Sequence, residues 1–510
     1  MSTLAVEFTA SRLLQTVYGT SNIVWANVIG LVLLSLTAGY FLGGRLADRY
    51  PRPDYFYAIV TAAGISAVFF LLLTSVILRQ AAGAMAVMNV NAIVGSLVLV
   101  ILALAVPVTM LGCLSPFAVR LAVRDVSEAG RISGRVYAIS TLGSLLGTYI
   151  PVLIVIPLAG SRATALIFGS ILIFVGFLGL WKANLSSGGR RAGILFTVVV
   201  IMLIPLAFVW TQGGIKQYPG QIYERESAYN YIQVIRQDDC NYLLLNEGQA
   251  YHSFYCDGGR VPAISVWSAM LAAPFFNPPA VGSPVNNMAV IGLAAGTVPK
   301  QFTRVFGPIP IDGIELDPEI VDVGRELFAL QEPNIQPIVG DGRNALSTLS
   351  GPYDLITIDA YKVPYIPWHM TTREFFSEVA GKLSESGVMA INVGHVPDDR
   401  RLIDAVSSTL LTVFPSVYAI DVPGTLNTIL VATRQPTSAG NLQDNIALLP
   451  SGVDPLLLDA LEMAASNLVP VVGDGPIMTD DRAPIEAISD SLVIRYLLST
   501  GPGGLGTLGQ

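Results

Sequence analysis

Between Met288 and Tyr361 four short apolar segments each end in a glycine or an acid: MAVIGLAAGTVPKQF, IDGIELDPEI, IVGDGRNAL and YDLITIDAY. Short apolar runs separated by helix-like stretches are the pattern of a parallel sheet buried on both faces. In such a sheet a ligand lies beyond the carboxyl ends of the strands, where the strand order reverses. Gly292, Gly296, Glu315, Asp317, Asp341, Gly342 and Asp359 all fall at those ends, so the pattern predicts one crevice that they line.

The residue types suit a nucleoside. Gly292 and Gly296 let backbone approach a ligand closely, and Glu315, about 20 residues further on, is placed to accept hydrogen bonds from ribose hydroxyls. Asp341 is placed to accept from an adenine amine. The run has neither the third glycine of G-x-G-x-x-G nor a Walker lysine, so the ligand expected is an adenosine-type sulfonium compound without phosphates. The bland alternatives are turn glycines at 292 and 296 and a strand-end cap at Asp359.

The order G-x-x-x-G, E-L-D-P-E, G-D-G-R and Y-D-L-I-x-x-D resembles the spermidine synthase (polyamine aminopropyltransferase) family, a branch of the class I methyltransferase fold. The resemblance runs from roughly Tyr223 to the C-terminus, and HMTTREFF and TDDRAPIE resemble the bacterial membrane-fused members. It implies decarboxylated S-adenosylmethionine as co-substrate with no permanently bound cofactor, a small putrescine-like amine as acceptor, and a homodimer as the assembly. Asn230 in ESAYNYIQV stands where the family has a glutamine touching the donor nucleoside. Asp359 is the implied carboxylate that takes or relays the amine proton.

The family pattern is broken on the acceptor side. Ala273 stands where the family helix presents a histidine, Ala295 where its glycine loop carries an acid, and no second acid follows Asp359 in DAYKVPYIPWHM. Tyr361, Glu247, Asp257, Asp480 and Asp481 are the replacement candidates for amine binding, each with a plain alternative as a solvated turn or cap. A methyltransferase using intact S-adenosylmethionine stays open, with Lys300 as the nearby cation for the methionine carboxylate. So does a non-catalytic polyamine or nucleoside sensor or transporter. The three histidines have no metal-ligand spacing, so no metal site is expected.

The chain is 52% hydrophobic and 13% charged, against about 25% charged for an average soluble domain. The deficit is concentrated before Trp210. Apolar spans at Ile23 to Leu42, Tyr55 to Leu78, Ala92 to Leu114, Val136 to Leu158, Ala163 to Trp181 and Ala192 to Trp210 are each near the roughly 20 residues that cross a bilayer. With the polar-interrupted segment Leu4 to Tyr18 this makes six or seven helices. Gly143 and Gly147 offer a small-residue packing face. The net charge of -8 argues against nucleic acid, which needs a basic footprint.

Arginines and lysines cluster in alternate loops, at Arg45, Arg49 and Arg52, at Arg120 to Arg135, and at Lys182 to Arg191. The positive-inside rule then makes a multi-pass protein of the cell (inner) membrane whose last span leaves the cytoplasm. This favours the extracytoplasmic side for the soluble part, against the intracellular supply of the implied donor, so the side stays open. Cys240 and Cys256 face each other in the simplest hairpin register around Gly248; a cross-strand disulfide and two free thiols are both open.

The organisation expected is a multi-pass α-helical membrane domain over 1–211 and a small β-hairpin domain over 219–258. An α/β class I methyltransferase-like (Rossmann-like) domain follows over 259–495, with a glycine-rich flexible tail over 496–510.

Overall fold

The computed structural model describes residues 22–69, 92–184, 218–246, 250–262, 264–279, 283–361 and 366–500, with scattered residues before 13. The chain divides into two compact units, Met1–Tyr218 and Pro219–Gln510.

In the first unit, four helices among the described residues are long and apolar enough to cross a membrane: Ala26–Arg49, Leu104–Ala122, Val126–Val155 and Leu158–Ala183. They overlap four of the expected spans, and a shorter apolar helix, Pro53–Phe69, begins a fifth. The span Ala192 to Trp210 and most of Leu4 to Tyr18 lie outside the described residues. The last two long helices meet where Pro151 opens a widened turn, Pro151–Val155, because proline has no N–H for the regular ladder. Gly160, at φ 80°, then breaks the helix. Helices Asn22–Arg49 and Ala92–Ala122 approach backbone to backbone at Gly39, where a Cβ would lie 2.3 Å from the Thr109 carbonyl oxygen. Small residues make that approach feasible.

The second unit begins with a four-stranded antiparallel sheet in the order β1-β2-β3-β4. Its strands are Gln221–Glu226, Tyr231–Gln237, Cys240–Leu245 and Tyr251–Cys256. Cys240 pairs with Cys256 in the register, and the two form a disulfide.

The larger sheet has eight strands in the order β12-β10-β11-β9-β8-β5-β6-β7. The sequence-read strands are β5 (Met288–Ile291), β6 (Ile311–Glu315), β7 (Ile335–Val339) and β8 (Tyr353–Ile358). They pair in parallel, and the chain reverses direction across the sheet between β5 and β8. β9 (Leu383–Gly394) extends the parallel set. β10 (Ser416–Asp421), β11 (Asn427–Thr433) and β12 (Leu468–Val469) close it antiparallel. Helices α1 (Thr297–Phe306), α2 (Pro318–Leu327), α3 (Gly342–Thr348), α4 (Arg373–Lys382) and α5 (Arg401–Leu411) fill the crossovers.

β5 shows why the sheet is double-faced. Met288 and Val290 enter one core with Phe276 and Phe302, while Ala289 and Ile291 enter the other with Phe375 and Phe376. Side chains alternate along a strand, so an uninterrupted apolar run requires apolar packing on both sides. A fully buried side chain such as Val290 or Ile291 contributes about 1.5–3 kcal/mol.

The expected tail starts too early. A final helix, Ile485–Thr500, runs through residue 496 and packs Ile485, Ile488 and Leu492 against the core; residues 501–510 lie outside the described set.

Candidate active site

Parallel pairing sets Ile291 beside Ile314 and Ile358, and Ile314 beside Ile338. The residues that follow therefore emerge along one sheet edge: Gly292 after β5, Glu315 ending β6, Asp341 after β7 and Asp359 after β8. The approach is closest at Gly292, which has φ 90° and where a Cβ would sit 2.5 Å from the Asp359 carbonyl oxygen. Any other residue would push the two strand ends apart. Gly296 also has positive φ, and a Cβ there would meet Leu330 at 2.6 Å. Gly342 opens α3 against Ile291 and Met370.

Glu315 is held from two sides. One oxygen accepts the Ala294 N–H at 2.9 Å and the other the Asp317 N–H at 3.0 Å. The residue is only 9% exposed, and burial pushes its carboxyl up to about 7 against those stabilising bonds. Asp341 caps α3 through the Asn344 N–H at 3.0 Å. It also lies 3.1 Å from His369 Nε2.

Asp359 accepts from Asn392 Nδ2 at 2.9 Å and from the Trp267 side chain. Burial raises its carboxyl above the ordinary aspartate range, and these two donors only partly offset it. A desolvated carboxylate with raised proton affinity is suited to take up a proton.

Asp317 and Asn230 require a correction. Asp317 is completely buried and its carboxylate is taken up by partners within the protein. Its carboxylate caps α2 at the Glu319 N–H, 3.2 Å away, and accepts from Ser227 and from Asn230 Nδ2, the latter at 2.9 Å. Asn230 Oδ1 in turn accepts from Asn246 at 2.9 Å. The two residues read as nucleoside contacts bind each other and join the small sheet to the large one.

The amine candidates separate. Tyr361 stands at the site, but its hydroxyl donates to the Asn392 carbonyl at 3.1 Å and accepts from the Gly394 N–H at 2.6 Å. Asp480 is taken by Arg343 at 2.8 Å and by Thr372 at 2.7 Å, which makes it a brace between α3 and α4 rather than an amine ligand. Asp481 is exposed next to it. Glu247 lies outside the described residues. Ala273 is fully buried in the sheet core, and Ala295 packs under the small sheet. Lys300 sits 4.5 Å from the Tyr255 ring centroid, 3.6 Å from Glu332 and bonded to the Phe328 carbonyl, so its ammonium is committed between α1 and α2.

Residues 285–439, which hold every strand-end residue just described, match the family model for the spermine/spermidine synthase domain. That stretch belongs to the spermine/spermidine synthase domain family. A Bifidobacterium longum protein named probable polyamine aminopropyl transferase is 30% identical over 284 residues. That alignment covers 52% of this chain and 61% of the relative's length. A Vibrio vulnificus polyamine aminopropyltransferase is 28% identical over 249 residues, covering 47% of this chain and 80% of the relative. A mouse eEF1A lysine and N-terminal methyltransferase is 28% identical over 160 residues, covering 29% of this chain and 23% of the relative. In this domain two side chains hold the strand-end aspartate, Trp267 and Asn392. Neither stands out in sequence, because each lies far from Asp359 along the chain.

Proposed function

We propose that this chain is a bilayer-anchored aminopropyltransferase that moves the aminopropyl group of decarboxylated S-adenosylmethionine to a small putrescine-like amine and releases methylthioadenosine. The observation that carries the reading is Asp359: a half-buried carboxylate with raised proton affinity, held by Asn392 and Trp267 at the sheet's reversal point, inside the family match. The neutral amine attacks the carbon attached to the sulfonium. A C–N bond forms, the C–S bond breaks with its electron pair going to sulfur, and the nitrogen's proton passes to Asp359. Glu315 faces the ribose hydroxyls and Asp341 the adenine amine. The protein's contribution is orientation, desolvation and proton acceptance.

Lys300 separates the donors. A methyltransferase reading, which the mouse relative favours, needs a cation for the methionine carboxylate, and this ammonium is engaged elsewhere. Calorimetry on the detergent-solubilised full chain is expected to show decarboxylated S-adenosylmethionine binding at least about tenfold more tightly than the intact compound. Tighter binding of intact S-adenosylmethionine would install the methyltransferase reading. Failure of methylthioadenosine and both donors to bind would remove all nucleoside chemistry.

The apolar helices support a multi-pass place in the cell membrane, and a homodimer is the assembly proposed. The loop charges and the disulfide favour the extracytoplasmic side for the C-terminal unit. A C-terminal alkaline phosphatase fusion is expected to be active and the equivalent green fluorescent protein fusion dark; the opposite pair of results places the unit in the cytoplasm.

A further inference from the structure

Asn392 lies on β9, between β8 and β11, and is 6% exposed. Its Nδ2 donates to Asp359 Oδ1 at 2.9 Å. A carboxylate only accepts, so this bond fixes which end of the amide faces Asp359. The other end, Oδ1, is buried and meets no donor among the described residues. Buried acceptors are nearly always satisfied in folded proteins, so an orphan next to a reacting group calls for a ligand donor. The neighbouring donors are already spent: the Tyr361 hydroxyl on the Asn392 backbone carbonyl, and the Trp267 side chain on Asp359.

We propose that Asn392 sets the class of the acceptor amine: its Oδ1 receives one N–H of the attacking nitrogen while Asp359 receives the other. The inference rests on the aminopropyl-transfer reading and deepens it. Two acceptors side by side match a primary amine, whose two N–H bonds are both used and whose lone pair is left for the donor carbon. A secondary amine brings one N–H and leaves an acceptor unmet. Sites built to hydrogen-bond a substrate group reject analogues that lack it far more strongly than apolar pockets reject size differences. As the new C–N bond forms, the C–S pair leaves with sulfur and the proton on the Asp359 side goes to that carboxylate, while the N–H on Asn392 stays in place.

The test compares 1,4-diaminobutane with N,N′-dimethyl-1,4-diaminobutane, both ends of which are secondary, on the full chain in detergent with decarboxylated S-adenosylmethionine. Wild type is expected to prefer the primary amine by about a hundredfold or more in kcat/KM. Asn392→Leu is expected to lose most of that preference, to within about fivefold, with methylthioadenosine affinity unchanged as the sign of an intact fold. An Asn392→Leu enzyme that keeps the wild-type preference overturns the role of Asn392 and leaves aminopropyl transfer standing. Equal use of the two amines by wild type does the same without any variant. If wild type releases no methylthioadenosine with either amine, both the inference and the reading beneath it fall.

Discussion

Replacing Asp359 with asparagine is expected to lower aminopropyl transfer by roughly 10²–10⁴-fold, the usual contribution of a positioned general base, while methylthioadenosine still binds within about tenfold of wild type. The amide keeps the volume, its oxygen still accepts from Asn392, and the backbone bond from residue 359 N–H to the Ile291 carbonyl, 2.8 Å long, does not depend on the side chain. Only proton uptake is removed. Steady-state release of methylthioadenosine, alongside calorimetric binding, separates the two quantities. Turnover that survives the change would reduce Asp359 to a strand-end cap.

The second large effect is on pH. Glu315 is raised in the folded protein to about 7, so near neutral pH it is part protonated. Ribose hydroxyls donate most strongly to the ionised form, so nucleoside binding draws the group toward deprotonation. Methylthioadenosine affinity should therefore rise with pH, by about thirtyfold between pH 5.5 and pH 8, and flatten above. Glu315→Gln should bind more weakly at high pH and lose the slope. The same group acts on stability with the opposite sign. Its folded pKa lies above the unfolded value, so the native state binds the extra proton between about pH 4.5 and 7, and the stability it contributes falls across that window as pH rises. A nucleoside affinity independent of pH from 5.5 to 8 would remove Glu315 from the ribose.

What the sequence disclosed follows from physical periodicity. Four strand ends could be placed because a doubly buried strand must be apolar at every position and because an acid or glycine ends each run. The hairpin register brought Cys240 opposite Cys256 because the turn between them is short. Asp317 is ambiguous in sequence for a definite reason: an acid before Pro318 suits a helix cap and a ligand contact equally, and only Ser227, ninety residues upstream, decides between them. Trp267 and Asn392 were missed because neither belongs to a spaced motif; they reach Asp359 from another helix and another strand. Lys300 looked available because Tyr255 and Glu332, which occupy it, are distant along the chain.

The small sheet is joined to the large one at several buried points. Asp317 takes Ser227 and Asn230, Ser253 accepts the Ala295 N–H at 3.0 Å, and Thr297 bonds Phe254. One of those joints shares its backbone with Glu315, whose oxygen holds the Asp317 N–H. These bonds hold the small sheet against the large one without any nucleoside present. Methylthioadenosine should then associate in a single kinetic phase whose rate rises linearly with concentration, as a preformed slot requires, with no slow isomerisation from a swinging cover.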